Sequence, residues 1–301
     1  MLSLLLALAA PDPICAAAFE AVRSEGAVEA AYVAHVAFAR GDLGDGARRW
    51  FLIDTGANRS ALDAGVARSL GLPEEAGTAV EGSAGTIQTS TTTVTRFMMG
   101  DLATRLSPTV SDLSGLAGPE GEPVAGIIGS DVFGDRVLTF DFERRRLAMA
   151  APGPASAAIA ACGRGVAMAN DNGIPRVTAE LDGRAVELRY DSGAGLFDSP
   201  HLWINLSEPQ FAEILNGRPP LPPVQTLTGS GAGGSLRLAV HLGERFRLGG
   251  IEWSEPRLII QPRQGYFARP EAVGFLGNAA FRRFGLVVID YPGGRLTVPP
   301  A

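Results

Sequence analysis

One pattern of residues is written twice along this chain of 301 residues, and a repeat of more than about 100 residues dictates two similar lobes rather than a short-period solenoid. The first copy opens with an apolar-rich strand over residues 32–38. It passes a Gly/Asp-rich turn at 41–46 and runs into Trp50-Phe-Leu-Ile-Asp-Thr-Gly56. The second copy has a strand at 176–181, the tight turn Asp182-Gly183, and Val186-Glu-Leu-Arg-Tyr-Asp-Ser-Gly193. Asp-Gly between two alternating runs is a strong hairpin signal. The closing halves match more closely. Gly126-Ile-Ile-Gly-Ser-Asp-Val-Phe133 corresponds to Gly274-Phe-Leu-Gly-Asn-Ala-Ala-Phe281, and residues 137–142 correspond to 286–291. The second copy is longer between its two motifs, and the Pro-rich stretch 218–223 is where the insertion is expected.

Apolar residues make up 46% of the chain, enough to build real cores. With 38 glycines and 21 prolines punctuating short Val/Leu/Thr runs, the expected class is all-β, in two pseudo-twofold-related lobes with a central cleft. The lobes are expected over 19–150 and 166–301. An Ala/Pro/Gly/Ser linker at 151–165 joins them, unless 157–161 forms a buried helix. Helices are expected at 60–70 and at 208–215, the latter capped by Ser207 with Pro209 in its first turn. A net charge of −6 with only 19% charged residues provides no electrostatic footprint for nucleic acid.

The apolar run over residues 1–10 is too short to span a bilayer, so no membrane span is expected. It reads as the core of a secretory signal over 1–18, with small residues at 7–9 and 16–18 as cleavage sites, although no Lys or Arg precedes it. The expectation is a periplasmic or secreted protein. The alternative is a cytoplasmic one with an apolar N-terminal helix. Cys15 and Cys162 have no metal-site spacing: either they pair in an oxidising compartment, tying the N-terminal arm to the linker, or they are two unrelated thiols. His35, His201 and His241 are scattered without ligand spacing, and no metal is expected.

The chemistry lies in the two aspartate loops. In each, an apolar strand ends in a carboxylate, then a hydroxyl, then a glycine: Asp54-Thr55-Gly56 and Asp191-Ser192-Gly193. The strand fixes the carboxylate, the hydroxyl can bond at the base of the loop, and glycine lets the chain turn with its N–H toward the carboxylate. One such tripeptide is an ordinary strand ending. Two in equivalent places, each followed later by apolar-apolar-Gly (Ile127-Ile128-Gly129 and Phe275-Leu276-Gly277), form a constellation.

On these residues the chain resembles the pepsin/retropepsin aspartic peptidases, most of all bacterial members with two retropepsin-like lobes in one chain, over about residues 30–300. The resemblance implies six-stranded, barrel-like lobes related by a pseudo-twofold axis, with Asp54 and Asp191 catalytic and Thr55, Gly56, Ser192 and Gly193 supporting the loops. Two carboxyls a few ångströms apart cannot both ionise, so one stays protonated while the other draws a proton from water. Such a site calls for no covalent intermediate, metal or cofactor. The implied function is an endopeptidase acting on an extended peptide or protein, and a monomer suffices for it. The alternatives are a catalytically silent peptide-binding module of the same fold, and a structural envelope protein.

Two glycine-rich stretches resemble flap tips that close over substrate: Gly82, Ser83 and Gly85 in the first copy, and Gly229, Ser230 and Gly231 in the second. Both also read as plain mobile hairpin turns. The second contains a formal GxGxxG, but the alternating run at 236–242 that follows is a strand, which excludes a dinucleotide fingerprint. Asn58 and Gly195 stand where the family often carries Ser or Thr. Arg189, two before Asp191, is expected on the same side of its strand. Beside the dyad it would favour double ionisation; turned to solvent, or paired with an acid such as Glu187, it would not.

Overall fold

A computed structural model describes residues 12–195 and 201–300. Its strands make two sheets, one of fifteen strands and one of ten. The larger sheet holds the strands of the first copy together with 164–167, 286–290 and 295–298 of the second, and the smaller sheet holds the rest of the second copy, in keeping with the expected all-β, two-lobed architecture.

Each copy folds the same way. In the first, Arg48–Ile53 lies parallel to Val124–Ile128, with Phe51 opposite Gly126 and Ile53 opposite Ile128. In the second, Arg184–Tyr190 lies parallel to Gly274–Leu276, with Leu188 opposite Gly274 and Tyr190 opposite Leu276. A strand buried on both faces reads as a continuous apolar run, as Trp50-Phe-Leu-Ile53 does. A third strand pairs antiparallel to each of these, Ala61–Asp63 in the first copy and Trp203–Ser207 in the second.

The expected strand at 32–38 is broken into the hairpin Ala27–Val33/Val36–Asp42. Ala34 and His35 both have positive φ, at 47° and 69°. Neither residue type announces such a turn. The second copy makes the equivalent turn with Asn172-Gly173, at φ 52° and 88°, between Ala169–Asp171 and Ile174–Leu181. The helix expected from residue 60 starts at Ala64. Asp63 caps it by accepting from the Gly65 and Val66 N–H groups, and 61–63 are drawn into the sheet. Glu208–Leu215 is helical behind a Ser207/Gln210 capping box.

The closing hairpins of the two copies bind each other. Val137–Asp141 pairs antiparallel with Leu286–Asp290, placing Thr139 opposite Val288, so backbone hydrogen bonds join the lobes. Two helices cover this shared sheet. Ala18, Phe19 and Val22 of Pro13–Ser24 and Ile159 of Pro154–Cys162 pack on Val137, Leu286 and Val288. The linker thus contains a helix, and Cys15 and Cys162 are joined in a disulfide between the two helices. Closing a loop of 147 residues removes roughly 4–5 kcal/mol of chain entropy from the unfolded state in the simple loop-closure picture. Among the described residues, no helix is long and apolar enough to cross a membrane.

Candidate active site

The two parallel-strand crossings deliver two loops to one point at the centre of the molecule. The Asp54 N–H donates to Ile128 O and the Asp191 N–H to Leu276 O, each at 3.0 Å, so the apolar-apolar-Gly segments anchor the aspartates from beneath. Inside each loop the glycine N–H donates to its own aspartate: Gly56 to Asp54 Oδ1 at 2.8 Å and Gly193 to Asp191 Oδ1 at 2.9 Å.

Thr55 and Ser192 lock the loops together, and both are fully buried. The Thr55 N–H donates to Ser192 Oγ, and the Ser192 N–H donates to Thr55 Oγ1, both at 2.9 Å. Each hydroxyl then donates across to the opposite strand, Thr55 Oγ1 to Tyr190 O at 2.8 Å and Ser192 Oγ to Ile53 O at 2.7 Å. Four hydrogen bonds related by the pseudo-twofold thus satisfy the N–H and the hydroxyl of each residue of the bracing pair.

Both glycines are needed for close approach. A Cβ on Gly56 would lie 2.5 Å from Asp191 Cγ, and one on Gly193 would lie 2.6 Å from Asp54 Cγ. Each loop is therefore pressed against the other's carboxyl, and the two carboxyls are close enough for the protonation of one to shift that of the other. Both open on the cleft, but the protein around them excludes water, and this desolvation raises both above the usual carboxylate range. Asp191 is driven well up, by burial first and then by the charge of Asp54 and the hydrogen bond to it. For Asp54, the N–H groups of Gly56, Gly193 and Ala57 and the bond from Asp191 oppose the rise. The pair is arranged to hold one proton between its two carboxyls.

The cleft above the dyad has a volume of about 1050 Å3. Arg189 does reach into it, but its guanidinium is held by Asp171, from Nε at 3.0 Å and Nη2 at 2.7 Å, and it lies 4.4 Å over the ring of Tyr266. Its partner is not Glu187, which is engaged by Arg176 at 3.1 Å and by the Thr178 hydroxyl at 2.5 Å. The cation is neutralised before it reaches the dyad.

The glycine-rich stretches are the tips of two hairpins that line the cleft, Glu75–Gly82/Gly85–Thr91 and Gln225–Gly231/Gly234–Leu242. The tips meet: the Ala84 N–H donates to Ala232 O at 3.1 Å. Gly82, Ser83 and Gly85 sit at the first tip. In the second, Gly229 and Ser230 lie in the strand, Gly231 ends it, and the turn itself is Ala232-Gly233. The segment 265–269 of the second lobe had no sequence signal. It abuts the first tip through Gly265, where a Cβ would lie 2.1 Å from Gly82 O, and Arg269 forms an ion pair with Glu81. A second unannounced contact runs beneath the dyad, where the hydroxyl of buried Tyr190 bonds Asn278 Oδ1 and Asn278 Nδ2 donates to His35 O at 2.9 Å. Among the described residues no group of three or more His, Cys, Asp or Glu side chains is placed to hold a metal ion.

Fold and site together define the class: a two-lobed aspartic-protease architecture with one aspartate loop from each lobe. Residues 39–132, which include the Asp54 loop, the first flap and Ile127-Ile128-Gly129, match the aspartyl protease family model. That match covers about a third of the chain, on the side of the first aspartate loop, and does not reach the Asp191 loop. Among solved structures it is similar to a retropepsin-like aspartic protease from Rickettsia conorii, at 18% identity over 44% of this chain and 87% of that one, with a TM-score of 0.30. No curated protein sequence matches the chain.

Proposed function

We propose that the protein is an aspartic endopeptidase. The supporting observation is the pair Asp54–Asp191, brought together by two interlocked loops in a cleft lined by two glycine-tipped hairpins. Asp54, as the anion, takes a proton from a water that attacks the scissile carbonyl carbon. Asp191 donates its proton to the carbonyl oxygen, giving a neutral tetrahedral diol. Collapse of the diol returns a proton to the leaving amine and restores the shared-proton pair. The flap strands offer backbone groups to an extended peptide, so affinity comes from main-chain pairing and selectivity from side-chain pockets.

Asp54→Asn and Asp191→Asn, made separately, are each expected to lower hydrolysis of an unfolded protein substrate by about 10³-fold or more, with the far-ultraviolet circular dichroism unchanged. A single variant retaining near-wild-type turnover would overturn the shared-proton reading. The disulfide supports work in an oxidising compartment, the periplasm or outside the cell. A leader cut ahead of Cys15 keeps that bond, whereas a cut at 16–18 would fall inside the Pro13–Ser24 helix and release the cysteine.

A further inference from the structure

The pairing registers of the two lobes give a residue-by-residue correspondence across the cleft. Ile127 opposes Ala61, which opposes Thr109, which opposes Thr91 of the first flap. In the second lobe the same path runs from Phe275 to Asn205, Ile259 and Val240. The flap turns align as well, since Gly82 faces Gly85 and Gly231 faces Gly234. Equivalent cleft positions are therefore Arg59 and Trp203, Thr109 and Ile259, Thr78 and Leu227, and Ile127 and Phe275.

The two halves of one symmetric scaffold are chemically unlike at three of these four pairs, Ile127 and Phe275 being apolar in both. In the second lobe Trp203, Leu236, Leu238 and Ile259 form an apolar cluster with Leu227 packed on it, and all five line the cleft. In the first lobe Arg59, Thr78 and Thr109 stand at the places of Trp203, Leu227 and Ile259, while Ile87 keeps an apolar side chain at the place of Leu236. Arg59 is tied down, donating to Ser107 O at 2.9 Å from Nη2. The difference is one of composition, because the backbone path beneath the two walls is the same.

On the reading that this cleft hydrolyses peptides, we propose that it is one-sided: its second-lobe half takes a large apolar side chain, and its first-lobe half takes a small or hydroxyl-bearing one. The preferred bond lies between unlike residues, and the order of the two residues matters. A large apolar side chain gains by leaving water only on the second-lobe wall. A small one loses little on the first. Discrimination of about tenfold or more is what an apolar pocket delivers for a difference of this size.

The test uses four otherwise identical peptides with Phe-Thr, Thr-Phe, Phe-Phe or Thr-Thr at the scissile bond. Cleavage is measured with the wild type, and binding with Asp54→Asn. One mixed order is expected to exceed the other by about tenfold or more in kcat/KM, with Thr-Thr poorest. Ile259→Thr should narrow that gap. Because Ile259 is buried, the partly exposed Leu227→Thr and the exposed Thr78→Leu serve as variants that leave the cores intact. Leu227→Thr should weaken the preferred order, and Thr78→Leu should improve Phe-Phe. Equal cleavage of the two mixed orders, or variants that leave the ratio unmoved, would overturn the proposal. If no peptide is cleaved but the Asn variant still binds one order about tenfold more tightly, the peptidase reading fails and the one-sided cleft stands. Neither cleavage nor order-dependent binding overturns both.

Discussion

The two lobes share their hydrogen bonds at the centre and differ in several of the side chains that face the cleft away from it. Thr55 and Ser192 exchange identical bonds, and Asp54 and Asp191 hang from identical carbonyls. Two residues before each aspartate the lobes part. Leu52 lies in an apolar cluster with Phe38 and Trp50, whereas Arg189 enters the cleft on Asp171 and Tyr266. The flaps differ too. The first is clasped by residues 265–269 of the second lobe, through Gly265 and the Glu81–Arg269 pair. Positions that satisfy buried backbone groups have few alternatives, because any loss leaves a donor or acceptor without water. Positions facing solvent or substrate carry no such constraint, and there the copies have diverged.

The sharpest way to break the claim of central symmetry is to remove one hydroxyl at a time. Thr55→Ala leaves the Ser192 N–H without an acceptor and Tyr190 O without a donor, and Ser192→Ala does the mirror image. Each loses roughly 2–6 kcal/mol of stability, from two buried groups at about 1–3 kcal/mol each, measured by urea unfolding. The two losses are expected to agree within about 1 kcal/mol, and Thr55→Ser is expected to be nearly neutral. A large inequality would show that one lobe alone carries the brace.

The clasp on the first flap sharpens the asymmetric half of the comparison. Glu81→Arg or Arg269→Glu alone should lower kcat/KM roughly two- to fivefold, in proportion to a partly exposed ion pair. The double exchange should restore it, since the pair is then re-formed with its signs reversed. A double variant no better than either single one would mean that the flap is seated by Gly265 packing and not by the ion pair.

What could be read from residue order alone follows the same division. The Asp-Thr-Gly and Asp-Ser-Gly loops were legible because a strand, a carboxylate, a hydroxyl and a close-approach glycine must be adjacent in the chain. The turn at Ala34-His35 was hidden, since neither residue signals positive φ, while its counterpart Asn172-Gly173 does. Asp171 as the partner of Arg189 was also hidden. Glu187 lies nearer in sequence, but Arg176 and Thr178 engage it, and the Asn172-Gly173 hairpin carries Asp171 into reach. The disulfide stayed undecided, because two cysteines 147 residues apart meet only once the two covering helices dock on the shared sheet. Residues 1–10, the expected signal core, lie outside the described residues.

The smallest expected effect tests the one asymmetry at the centre, the unequal hold of Asp54 and Asp191 on their proton. The native state raises Asp191 well above its ordinary value, so it binds that proton more tightly than the unfolded chain does. Stability from this site is then fully present below about pH 4, the unfolded aspartate value, and is lost as pH rises through the raised native one. Asp191→Asn removes the titration and keeps a donor toward Asp54. The variant should match the wild type in Tm near pH 4 and exceed it by a few degrees at pH 7, where the wild type must either retain the proton or hold two buried anions. Asp54→Asn should stabilise less, because the N–H groups of Gly56, Gly193 and Ala57 already favour the Asp54 anion. Equal gains from the two variants would mean that the proton is shared evenly and that the centre is as symmetric in charge as it is in backbone.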